Sequence, residues 1–348
     1  MGYRHRFKTQ RLRDYEAAFN DAVGKAMESE PDVVLFLGDL VHHSRPDPVT
    51  LRAVIKKLIE VAQKKPVVLC IGNHEIEGHL STTYAPIYSD VHGNIHVLSS
   101  ENPHVVIEAG GRKIGFHGFE FMRSRERAEE MLSRISGDDL KGEVNILCLH
   151  QAVERYLEPH DVSIRSLRDV AQKYNLILLG HVHKRQKIAE LEDITPAYYV
   201  GSTERISFNE AENPTGIAIF GDDFRNPSFV GVESAAMKNL KLKVESANPE
   251  EVNSKIRSVV DANRDCKLLR VEVDCKASPS EISRDFPEYS GQFTILDIAL
   301  SSQAGESDLQ MEKTSLSEGM IREYFQKTGS KDKDLEETCV RLFQKYGG

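Results

Sequence analysis

Residues 32–43 read DVVLFLGDLVHH. Val33 to Leu37 form an unbroken apolar run of strand length, closed by a glycine and an acid. A run without polar alternation predicts a strand covered on both faces. Upstream, Leu12, Ala17, Phe19, Ala22, Val23 and Ala26 recur at roughly helical spacing until Pro31 ends the segment. Downstream, Leu51, Val54, Ile55, Leu58, Ile59 and Ala62 make the apolar side of a helix over Val49–Gln63, and Pro66 opens a second strand, VVLCIG. Strand, helix, strand in this rhythm predicts an α/β core.

Beyond residue 100 the text is richer in strands. HVVIEAGGRKIGFHGF (104–119) predicts a hairpin turning at Gly110–Gly111. Met122–Ser136 and Ser163–Tyr174 read as helices, and NILCLH, LILLG, AYYVG, GIAIFG and SFVGVE as strands. The fold class is therefore α/β, with two packed mixed β-sheets flanked by helices. From Ala235 the pattern changes to KNLKLKVES, a helix within 247–263, KLLRVEVD and FTILDIAL, a compact α+β unit. The predicted domains are a core over 1–234, a small α+β domain over 235–300, and a polar linker with a helical tail over 301–348.

The chain has 348 residues, 40% hydrophobic and 28% charged, the composition of a soluble globular protein. No apolar run approaches the roughly 20 residues of a membrane span, and the basic start has no apolar stretch behind it, so no signal peptide is expected. Five scattered cysteines without a CxxC pair suggest reduced, mostly buried thiols and a cytoplasmic protein. A net charge of −9 excludes a generic nucleic-acid coat. It leaves room for a local basic lining, for which Arg4, Arg6, Lys8, Arg11 and Arg13, Arg52/Lys56/Lys57, and Lys184/Arg185/Lys187 are candidates.

Four apolar strands end in ligand-type residues. LFLGD delivers Asp39, VLCIGNHE delivers Asn73 and His74, ILCLH delivers His150, and LILLGHVH delivers His181 and His183. Oxygen and imidazole donors of this kind suit a hard or borderline divalent cation. Glycine before the ligand in three of the four permits a tight turn and a close backbone approach. Singly, such features are common: a lone GD mostly ends a strand without metal, and a lone His150 is more often a satisfied core histidine. Their order, each at a strand end, points to a metal site.

This order resembles the calcineurin-like metallophosphoesterases, whose pattern is DxH…GD…GNH[DE]…H…GHxH. The resemblance implies a four-layer sandwich with two divalent metals sharing an aspartate and activating a water for in-line attack on phosphorus. Asp39 would be the bridging carboxylate, Asn73, His150 and His181 would complete one metal, and His183 would reach the other. His74 would stabilise or protonate the leaving oxygen.

Two longer segments narrow the likeness. GDLVHHSRPDPVTL (38–51) and VGSTERISFNEAENPTG (200–216) resemble segments of the SbcD-like (meiotic recombination eleven type) DNA double-strand-break repair nucleases, and GYRHRF resembles their HLGYR text. This family likeness implies two Mn2+ ions and 3'-5' double-strand exonuclease with single-strand endonuclease activity. It also implies DNA and an SMC-like ATPase as partners, a homodimer with its interface near Val49–Gln63 and Leu80–Tyr88, a capping role for 235–300, and a nucleoid-associated prokaryotic location. His42 would position the DNA strand, and His43 would be an ordinary loop residue. In GNHE, Glu75 would orient His74. By this likeness the DxH text would sit just before LGYR, ahead of Met1, so a truncated start, one complete metal site and a loop at MGYRHRF are expected. A non-catalytic DNA- or ATPase-binding subunit is the alternative. A nucleotide or protein phosphatase is disfavoured by the lack of GD-x-VDRG text.

Overall fold

The computed structural model describes residues 2–76, 86–137 and 140–302, the side chains of 2–9 and 301–302 excepted. Apart from Ser302, these belong to one compact unit, Met1–Ser301.

The first sheet holds β1 (Val34–Leu37), β2 (Val67–Cys70) and β3 (Ile95–Val97) in that order, paired in parallel. The second holds β4 (His104–Ala109), β5 (Arg112–Gly118), β6 (Val144–His150), β7 (Leu176–Gly180), β8 (Gln186–Lys187) and β9 (Ala197–Tyr199), in the order β4-β5-β6-β7-β9-β8. Its mixed character comes from the antiparallel pairs β4–β5 and β8–β9. Between the sheets lie Val68 and Cys70 of β2, Phe116 of β5, Ile146 and Cys148 of β6, and Leu178 of β7. Alternate residues of the same strands face outward. Leu69 packs under α2 (Pro48–Ala62), which follows α1 (Gly2–Glu28), and Leu147 and Leu149 pack under α4 (Arg125–Gly137) and α5 (Ile164–Ala171). The short α3 (Ile87–Asp90) adds Tyr88 to the first of these clusters. The result is helix on sheet on sheet on helix.

An antiparallel ribbon of β10 (Gly216–Ile219) and β11 (Ser228–Gly231) follows. A last sheet of β12 (Met237–Val244), β13 (Leu268–Cys275) and β14 (Ile295–Ser302) is covered by α6 (Pro249–Asp261) through Val252, Ile256 and Val260. The expected tail helices at 316–327 and 334–346 and part of the expected dimer surface, 80–85, lie outside the described residues.

Two expectations need correction. The expected loop at the start is a helix over its described residues: the backbone is helical from Gly2, and no glycine or proline interrupts the chain between Tyr3 and Val23. The strand after Pro31 is not fully buried: only Val34 of β1 is, because β1 borders the first sheet and Leu35, Phe36 and Leu37 are partly exposed.

Candidate metal centre

β1, β2, β6 and β7 run in the sense that brings their C-terminal ends to one edge of the sandwich, where the ligand-type residues meet. His150 Nε2 lies 3.2 Å from Asp39 Oδ2 and 3.1 Å from Asn73 Oδ1. His181 Nδ1 lies 2.8 Å from Asn73 Oδ1 and 3.3 Å from His150 Nε2. Donor atoms of Asp39, His150 and His181 all fall within 4.8 Å of one another. Two ligands at right angles, each about 2.1 Å from one ion, stand about 3 Å apart, so two oxygens and two imidazole nitrogens at these separations fit a single divalent cation.

The backbone is distorted to achieve this. Asp39 and His181 adopt φ of 55° and 81°, a region that costs a non-glycine residue about 1 kcal/mol or more. Gly38 (φ 92°) precedes Asp39, and a Cβ there would sit 2.3 Å from His150 Nδ1. A Cβ at Gly72 would sit 2.1 Å from Asp39 Oδ1. The glycines beside the ligands are thus demanded by contact, as the sequence suggested.

His150 is buried, and its Nδ1 donates to the carbonyl of Leu37 at 2.6 Å, which turns Nε2 toward Asp39 and Asn73. Burial would raise the pKa of Asp39, but the hydrogen bond and charge of His150 and the amide of His74 hold it at about 2. Burial disfavours the charged ring of His150, and the Asp39 carboxylate more than offsets this, so its pKa is raised. Burial and neighbouring His150 lower His181 to about 4, leaving a neutral ring with a lone pair at ordinary pH. Phe121 stands 5.5 Å from the His181 ring and 6.3 Å from the His150 ring, an apolar wall that the sequence reading did not include.

Glu75 does not orient His74. It is buried and turned the other way: its carboxylate accepts from the amides of Asp39 (2.8 Å), Gly72 (2.9 Å) and Val41 (3.1 Å). Desolvation, then the charge of Asp39, raise its pKa to about 7. One side chain therefore ties the loop after β1 to the loop after β2. His74 is positioned from elsewhere, its Nδ1 donating to the carbonyl of His42 at 3.0 Å and its ring stacked on that of His42 at 4.7 Å. His42, His43, Ser44, Arg45, Asn73 and His74 line an open cavity of about 270 Å³ beside the cluster, so His43 shares the mouth of the site with His42.

His183 is not in the close group of donors. Its Nδ1 lies 3.1 Å from Oε1 of Glu210, a residue whose partner the sequence did not reveal.

A fold and a site of this kind define a metal-binding phosphoesterase. Residues 5–185 match the family described as calcineurin-like phosphoesterase, and the chain belongs to that family. Among curated proteins it is similar to the DNA double-strand break repair protein Mre11 of Methanocaldococcus jannaschii, 32% identical over 61% of this chain and 56% of that protein. The Mre11 proteins of Methanopyrus kandleri (24% identical, 90% of this chain, 72% of that protein) and Archaeoglobus fulgidus (26%, 71% and 60%) are also similar. The chain spans little more than half the length of the first of these relatives.

Proposed function

We propose that this protein is a divalent-metal-dependent nuclease that hydrolyses phosphodiesters of DNA at double-strand breaks. The observation that carries the reading is the convergence of Asp39, Asn73, His150 and His181 on one point at the strand ends. A bound divalent ion, manganese in our reading, supplies charge neutralisation for the phosphate and a water of lowered pKa.

The chain's own residues do the rest. The Leu37 carbonyl keeps the His150 Nδ1 proton off the ligand side. Glu75 fixes the two loops that present Asp39 and Asn73. With Nδ1 committed to the His42 carbonyl, protonated His74 can give the Nε2 proton to the departing oxygen. His42 stacks beside it at the cavity mouth, suited to guiding a DNA strand past the scissile bond. His183 would serve a second ion. The names of the relatives support DNA as substrate. The likeness of 38–51 and 200–216 to the repair nucleases is what supports our reading of an SMC-like ATPase as partner and a homodimeric assembly. We read 235–300 as a cap over that DNA and 301–348 as a docking tail.

His74→Ala should abolish Mn2+-dependent cleavage of a labelled DNA duplex while leaving duplex binding, measured by fluorescence anisotropy, within about twofold. Unchanged cleavage would remove the role given to His74. Wild-type protein that binds DNA but cuts neither duplex nor single strand with any divalent ion would favour the non-catalytic reading instead.

A further inference from the structure

His183 follows His181 by two residues, and a carboxylate meets its ring. Glu210 Oε1 lies 3.1 Å from His183 Nδ1. A carboxylate only accepts, so Nδ1 of the neutral ring carries the proton and Nε2 keeps the lone pair. Free histidine in water favours the opposite tautomer, so the contact does work on the ring. The carboxylate is itself braced: Oε2 takes the amide of Ile206 at 2.9 Å, and Oε1 takes the Ser207 hydroxyl at 3.2 Å. Glu210 closes a single 3-10 turn, Phe208–Glu210. Phe208 anchors that turn, buried with Ala235 and Leu268 beneath the Arg270 guanidinium, which lies 4.8 Å from its ring centroid. The support of His183 therefore rests on the last sheet.

We propose that Glu210 is a positioning residue that holds His183 in the Nδ1–H tautomer and presents Nε2 as a ligand for a divalent cation. The cation-binding half rests on the reading of His183 given above, whereas the tautomer half does not. A histidine that donates its second nitrogen to a carboxylate is the usual support for a metal ligand, and losing such a partner weakens binding by about 10- to 100-fold.

The test is long-range 15N–1H NMR of the histidine rings in metal-free protein near pH 8, with His183 assigned through His183→Gln. Wild type should show a protonated Nδ1 and a bare Nε2. Glu210→Ala should move the proton toward Nε2, and Glu210→Gln, whose amide oxygen still accepts, should keep the wild-type pattern. The His117 resonances report whether each variant is folded. A role confined to filling the turn would leave the tautomer alike in all three proteins, and that outcome, or a wild-type His183 protonated at Nε2, overturns the proposal. If Glu210→Ala does not fold, the wild-type tautomer alone decides. Titrating wild type with Cd2+ separates the two halves. A shifted His183 Nε2 supports the ligand reading, with affinity about tenfold or more weaker in Glu210→Ala. An Nε2 that ignores Cd2+ defeats that reading while the tautomer result still stands.

Discussion

Glu75 shows how a motif can be legible while its mechanics are not. Its place in GNHE is plain in the sequence, but the neighbour in sequence, His74, is not the neighbour in space. A longer carboxylate reaches back across the loop and satisfies three amides of the two ligand-bearing turns. Glu75→Gln offers one oxygen where two are needed and points an NH2 at a donor. We expect a loss of about 1–3 kcal/mol in urea denaturation. Affinity for a divalent cation, measured by calorimetry, should fall about tenfold or more, since the residue supports the candidate ligands. His117, in the second sheet, titrates at the other extreme. It is buried, its Nε2 donates to Asn145 at 2.9 Å, and its Nδ1 faces His104 at 2.9 Å. Desolvation lowers its pKa from 6.5 to about 4. Between those values the unfolded chain binds a proton that the folded chain refuses, so this contribution is intact at pH 7 and is lost as pH falls from about 6.5 to about 4. His117→Gln should flatten the dependence of the urea midpoint between pH 7 and 5, and an unaltered slope would show that other groups govern it.

The elements were read most easily where local chemistry is sufficient. The Gly110–Gly111 turn has φ of 57° and 74°, as a two-residue hairpin requires, and β4 and β5 pair around it. Helix α2 starts where Asp47 accepts from the amides of Val49 (3.0 Å) and Thr50 (3.1 Å), with Pro48 in the first turn. Asp47→Ala should cost about 1 kcal/mol in chemical denaturation and leave metal affinity unchanged, because the cap is remote from the ligands. The misread elements are those whose state depends on neighbours. Whether β1 is covered depends on its position in the sheet, which four apolar letters do not encode. Calling the first residues a loop rested on a family likeness, whereas their own composition is compatible with the helix that forms.

At the scale of the molecule, α1 is a strut as well as an outer layer. Ala18 and Ala22 pack on Val232 and Ile217, Lys25 donates to the Gly231 carbonyl at 2.9 Å, and Asp21 accepts the Glu233 amide at 2.7 Å. Where the chain passes to the last sheet, buried Glu204 accepts the amides of Ala235 (2.9 Å) and Arg205 (2.8 Å), with Arg11 4.0 Å away. Arg11 itself donates to the Arg205 carbonyl at 2.6 Å. Glu204→Ala would strand two amides and loosen this junction. We expect faster limited proteolysis between Glu233 and Ala236, read by mass spectrometry, and cutting at the wild-type rate would argue against it. Among the described residues no helix is long and apolar enough to cross a membrane. The sequence by itself determined most of the longer strands and helices and marked Asp39, Asn73, His150 and His181 as candidate ligands, because apolar period and strand-end chemistry are local. Only the tertiary structure decided which partner each of these groups faces. Glu75 turns to three amides, His74 to a carbonyl and His183 to Glu210 because packing the two sheets brings together residues that no local pattern relates.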